Sequence, residues 1–158
     1  EDALQEMADL CKKNGFRVVG GAEMVAPHSL DRRFGAGRPD EKDVAQLKSF
    51  LLALTTRENL RDVPMPGSHD YKPYKGLPLY PSSGIHCSGC GTCSAECPAG
   101  AIDQGDPRKP DKTKCISCMR CITVCPFGAR SVPKAAQLAV SAALLKMCAG
   151  RKSPSFYL

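Results

Sequence analysis

The chain contains no apolar run near the ~20 residues needed to span a bilayer. Its most apolar stretch, residues 135–149, is interrupted by Gln137, Ser141 and Lys146, so no membrane insertion is expected. Neither a basic n-region nor an apolar h-region opens the 158 residues, and no secretory leader is expected. Tryptophan is absent and aromatic residues make up only 6%. Lys and Arg are scattered, so the formal net charge of +6 comes without the stacking platform of a nucleic-acid groove, and no nucleic-acid partner is expected. Catalytic constellations are missing too. His28 stands without the partners that acid–base chemistry needs, and no nucleophile meets a base.

What the chain does have is cysteine. Ten occur, about 6% of residues, which is below the ~8–10% of disulfide scaffolds. Eight of them lie within 39 residues, as Cys87-x-x-Cys90-x-x-Cys93-x-x-x-Cys97-Pro98 and Cys115-x-x-Cys118-x-x-Cys121-x-x-x-Cys125-Pro126. The runs superimpose at an offset of 28, and Cys-Pro-Ala-Gly-Ala from 97 returns as Cys-Pro-Phe-Gly-Ala from 125. Thiols so closely spaced bind a common inorganic centre more readily than they staple distant loops. Two chemistries use such spacing. Zinc ribbons take two Cys-x-x-Cys pairs set well apart, whereas three cysteines at x2 followed by Cys-Pro, twice over, is the ligand run of iron–sulfur clusters. Iron–sulfur ligation predicts a reducing compartment, read here as the cytoplasm of an anaerobe. It also revises the charge: two oxidised four-iron centres with their thiolates bring roughly −4, leaving ~+2.

Residues 84–132 resemble the bacterial-type two-cluster ferredoxins. The resemblance implies crossed ligation, with Cys87, Cys90, Cys93 and Cys125 holding one [4Fe-4S] cluster and Cys97, Cys115, Cys118 and Cys121 the other. It implies a pseudo-two-fold repeat with short strands near Ile85-His86 against 130–132 and near Ile102-Asp103 against Thr113-Lys114. Brief helices are expected at 94–97 and 122–125. His86, Lys114 and Arg120, next to ligands, are expected to screen cluster charge.

The flanking sequence divides by composition. Leu4, Met7, Ala8 and Cys11 share one face of a helix over 1–14, with Cys11 expected as a buried thiol. Residues 16–26 read as a buried strand of a parallel sheet, and 27–37 as a solvated loop. Asp40 is the expected N-cap of a second helix whose buried stripe is Val44, Leu47, Leu51 and Leu54, helped by Phe50. This order of Lys-Asn-Gly-Phe, Val-Val-Gly, His-Ser-Leu and Gly-Arg-Pro-Asp resembles the C-terminal end of a flavodoxin-like domain. The loop that grips the FMN phosphate and the first strands have no counterpart, so FMN is expected only in a longer parent chain.

Residues 57–83 are rich in Pro, Gly and Tyr and read as an extended linker packing through its tyrosines. A last helix is expected from Pro133 to about Ala149, with Leu138, Ala142 and Leu145 on one stripe and Val140, Leu144 and Cys148 on another. Lys134, Gln137 and Ser141 mark its solvent face. The tail 151–158 is expected to be loose unless Phe156-Tyr157-Leu158 docks.

The fold class expected is α+β: a flavodoxin-like helix–strand–helix fragment (1–56), a linker (57–83), a two-cluster ferredoxin domain (84–132), and a C-terminal helix and tail (133–158). The function expected is single-electron transfer between a flavin domain or redox partner and an acceptor. Wiring of a flavin-dependent oxidoreductase and a purely structural iron–sulfur domain stand as alternatives. The lone strand of the first fragment is expected to seek a second copy or a complementing fragment.

Overall fold

The computed structural model describes residues 2–71 and 77–158. The linker positions Pro73, Tyr74 and Gly76 lie outside the described residues. The chain forms two compact units. One is drawn from Glu1–Pro27, Gly35–Tyr74 and Gly150–Leu158, the other from His28–Phe34 and Lys75–Ala149. No helix of the described residues is long and apolar enough to cross a membrane.

In the first unit, α1 (Ala3–Lys13) buries Leu4, Gln5 and Ala8. Its Leu4 and Ala8 join Val63 and Met65 in a small core, with Val18 and Tyr157 packed against it. The segment expected to be a linker thus begins as part of this core: Val63 donates its N–H to Val18 O at 2.8 Å. Cys11 is exposed, not buried, because the apolar stripe of α1 is covered only around Leu4 and Ala8, leaving Met7 54% exposed.

Helix α2 (Glu41–Thr55) starts where the sequence places it. Asp40 accepts the N–H groups of Lys42 and Asp43, and Asp43 accepts the N–H of Asp40, a reciprocal capping box. The expected stripe is only partly covered, however. Phe50 is buried, whereas Val44 and Leu51 are exposed, since little in this unit lies over the rest of the helix.

The expected parallel strand is replaced by a short antiparallel pair. Strand β1 (Gly21–Glu23) pairs with β4 (Ser155–Tyr157) at the chain's end, Gly21 opposite Tyr157. Gly20 and Gly21 allow the close approach: a Cβ on Gly21 would lie 2.4 Å from Met65 Sδ. The tail docks, and the neighbour of the lone strand comes from the same chain. Phe156 stacks on Phe50 with centroids 5.1 Å apart. Charge holds the tail as well. Arg151 bonds to Asp40 and Asp43, and Arg38 donates both to Asp43 and to Lys152 O. These guanidiniums hold the Asp40 and Asp43 carboxyls below the usual carboxylate range.

The second unit has two short helices, α3 (Thr92–Ala95) and α4 (Arg120–Thr123), with β2 (Ser82–Ser83) paired to β3 (Arg130–Ser131). The expected partner, Ile85-His86, is not a strand. Cys87 N–H closes a turn on Gly84 O, leaving Ile85 95% exposed. The second expected pair reduces to a single bridge, Ile102 with Pro110, because Asp111 accepts the Thr113 and Cys115 amides and turns that segment back. Helix α5 (Lys134–Met147) buries Ser141 and Leu144 and exposes Leu138 and Leu145. Ser141, expected on the solvent face, is instead drawn in by Asp31, to which it donates at 2.7 Å.

Candidate metal centre

The two cysteine runs fold by the same local steps. In each, a left-handed residue precedes a one-turn helix that contains the third cysteine: Gly91 at φ 77° before α3 and Met119 at φ 60° before α4. Two residues earlier Gly89 and Ser117 are also left-handed, at φ 73° and 54°. The helices therefore begin two residues before the expected 94–97 and 122–125, because the reversal lies before the third cysteine. After each Cys-Pro the chain turns on a left-handed glycine, Gly100 or Gly128. The turn aims an amide back at sulfur: Ala101 N–H donates to Cys97 Sγ and Ala129 N–H to Cys125 Sγ, both at 3.3 Å.

Cys87, Cys90, Cys93 and Cys125 line one small cavity. Among the described residues no three Cys, His, Asp or Glu side chains converge on one ion position. The donors suit a larger, sulfur-rich group: thiols set apart round a space, with amide and side-chain donors directed at sulfur. Of the other four cysteines, Cys115 and Cys118 lie near enough to Cys121 to help raise its pKa. Cys97 is placed by its bond from Ala101.

Thiolate character is unevenly distributed. The Gly89 N–H and the Ser83 hydroxyl lower the pKa of Cys87. The Thr92 hydroxyl, 3.4 Å from Cys90 Sγ, and its N–H do the same for Cys90. Burial pushes the Cys121 thiol up, opposed by the charge of Arg130. Ligands must be deprotonated to bind metal, so donors that favour the thiolate also favour loading.

Two charges expected to screen the site are engaged elsewhere. Arg120 is paired with Glu96, and Lys114 stands 3.9 Å from Asp111. His86 is exposed. The residue that sequence reasoning missed is Arg130, expected only as part of a strand. It is buried, and its Nη1 donates to Cys93 Sγ at 3.3 Å. The repeat carried a signal for it: at the offset of 28, Arg130 falls where the first run has Ile102.

Residues 86–130 match the family model of a 4Fe-4S dicluster domain. The chain is 37% identical over 54 residues to a ferredoxin-like protein in the nif region of Sinorhizobium fredii, covering 30% of this chain and 84% of that one. It is 42% identical over 57 residues to one component of the Na(+)-translocating ferredoxin:NAD(+) oxidoreductase complex of Acetobacterium woodii, covering 34% and 17%. It is 38% identical over 60 residues to one component of an ion-translocating oxidoreductase complex of Methanosarcina acetivorans, covering 37% and 21%. Measured along five of the curated relatives, the chain spans only 6% to 21% of their length.

Proposed function

Because this chain belongs to the ferredoxin-like iron–sulfur proteins and carries an electron-transferring 4Fe-4S domain, we propose that it holds two [4Fe-4S] clusters and relays single electrons between a redox partner and an acceptor. Cys87, Cys90, Cys93 and Cys125 hold one cluster; Cys97, Cys115, Cys118 and Cys121 hold the other. The observation that carries this reading is the cavity lined by Cys125 together with the three thiols of the first run. When bound, such clusters supply one-electron redox centres. The chain's own residues supply thiolate ligands, amide donors to sulfur from Ala101 and Ala129, and a buried cation at Arg130. Crossing Cys97 and Cys125 between the runs ties them into one pseudo-two-fold unit.

Residues 1–56 are the end of a flavodoxin-like domain, 57–83 a linker whose start packs Val63 and Met65 into that domain's core, 84–132 the cluster domain, and 133–158 a closing helix and tail. The order α1, β1, α2 supports the first assignment. The partner is a flavin domain of a longer parent or a separate redox protein, and FMN binds only in such a parent. The setting is the cytoplasm of an anaerobe. Wiring within a flavin-dependent oxidoreductase is the second reading, favoured by relatives named as parts of oxidoreductase complexes and several times longer than the matched segment.

The test is anaerobic purification with iron and sulfide analysis, followed by dithionite reduction under EPR. Eight irons and a reversible signal are expected. Four irons overturn the two-cluster reading, and a full complement that never reduces makes the domain structural.

A further inference from the structure

Arg130 is 3% exposed. Its guanidinium donates from Nη1 to Cys93 Sγ at 3.3 Å and to Pro107 O, and from Nη2 to Pro81 O at 2.9 Å. Nε is buried without any hydrogen-bond partner. Among the described residues no carboxylate forms an ion pair with it, whereas Arg33, Arg38, Arg120 and Arg151 each have one.

A guanidinium cannot shed its proton in a protein. A buried charge persists only when paired or coordinating. Two carbonyls satisfy N–H groups but carry no net charge, so the negative partner must be sulfur. Cys93, the third cysteine of the first run, provides it directly. The repeat makes the arrangement lopsided: Ile102, 5% exposed, fills the corresponding place after the first run and brings no charge.

We propose that Arg130 is a redox-tuning residue: a fixed, buried cation bonded to Cys93 that raises the reduction potential of the Cys93 site and makes that site fill first. The inference rests on the two-cluster reading above. Reduction adds one electron from the donor and no bond changes. The added negative charge sits in a poorly solvated site, where a neighbouring cation stabilises it more than it stabilises the oxidised form. Burial also keeps salt from screening the effect.

The test is an anaerobic EPR-monitored redox titration of the loaded protein, wild type against Arg130→Met and Arg130→Lys. Arg130→Met is expected to lower the one-electron equilibrium constant of the higher-potential step about tenfold, which is ~59 mV, and the lower step by less. Arg130→Lys, which keeps the charge, is expected to recover most of that loss. A second measurement needs no variant to fold: reduced wild-type protein grown on ¹⁵N-arginine should show a ¹⁵N coupling to the cluster spin in pulsed ENDOR. Arg130→Met with a full iron complement titrating at wild-type potentials overturns the inference, as does absence of the ¹⁵N coupling. Fewer than eight irons in the wild type would instead strike the reading beneath it.

Discussion

Ser141 on α5 donates its hydroxyl to Asp31 Oδ2 at 2.7 Å, and both residues are buried within the second unit. Arg33 takes the rest of that carboxylate, with contacts at 2.6 Å and 2.9 Å, and with Ser141 it holds Asp31 well below the usual carboxylate range. The loop 28–34 is therefore tied to the last helix by a polar bond where the helix presents few buried apolar side chains. Ser141→Ala is expected to lower the Tm of the loaded protein by about 3 °C, since ~1 kcal/mol corresponds to 2–4 °C at this size. Asp31→Ala is expected to cost more, because it leaves the buried Ser141 hydroxyl without its acceptor and also removes the Arg33 bonds that hold the loop. Calorimetry of both variants checks the order.

The tail is held by charge as much as by strand pairing. Arg151 reaches Asp40 and Asp43 with contacts between 2.5 Å and 3.1 Å, and β4 offers only three residues to the ladder. Arg151→Ala is expected to raise hydrogen exchange several-fold at residues 21–23 and 155–157, with no change at 92–95. Arg151→Lys should restore only part of the protection, because an ammonium cannot reproduce the fork across two carboxylates.

The same clamp should be sensitive to acid. Asp40 and Asp43 have folded pKa values below the unfolded ~3.9. Their stabilisation is complete above pH ~4 and is lost as pH falls through the folded values, because the unfolded chain then binds protons more readily. Protection of the β1–β4 amides, corrected for intrinsic exchange, should be flat from pH 7 to 5 and fall below 4. In Asp43→Asn it should be weaker throughout and fall less steeply.

How much of this was legible depended on how local the cause was. The Asp40 cap follows from side chains a few residues apart, and the sequence sufficed. The burial stripes of α2 and α5 did not follow, since an apolar residue such as Leu145 or Leu51 shows a preference and cannot show that no cover exists. The pairing of Gly21 with Tyr157 joins segments from opposite ends of the chain, beyond any local pattern. Arg130 was hidden differently: as a cation at the end of a strand it reads as surface, and only the comparison with Ile102 at the offset of 28 marks the place as interior.

Left-handed backbone gives a sharper test of the cysteine loops. Gly91 sits at φ 77° with nothing within 4 Å of where a Cβ would be. Gly91→Ala therefore meets no clash, and its whole cost is conformational, about 1–2 kcal/mol. Gly91→Asn should cost clearly less, because asparagine tolerates this region. Thermal unfolding of the two loaded variants separates backbone strain from crowding: equal losses would point to crowding.

Crossed ligation makes a prediction that neighbouring cysteines alone would not. Cys125 lies 32 positions beyond Cys93 in sequence, yet it lines the cavity of Cys87, Cys90 and Cys93, with its sulfur bonded from the Ala129 amide at 3.3 Å. If those four thiols serve one centre, Cys125→Ala and Cys87→Ala should each halve the iron content, and the double variant should lose no more than either single change. Residues acting on one site are non-additive in this way. Cys125→Ala with Cys121→Ala should instead remove nearly all iron, although the two positions are four apart and on the same run. Iron analysis of the four variants decides between crossed and run-by-run ligation, because the second arrangement requires the opposite result: additive loss for Cys87 with Cys125, and no further loss for Cys121 with Cys125.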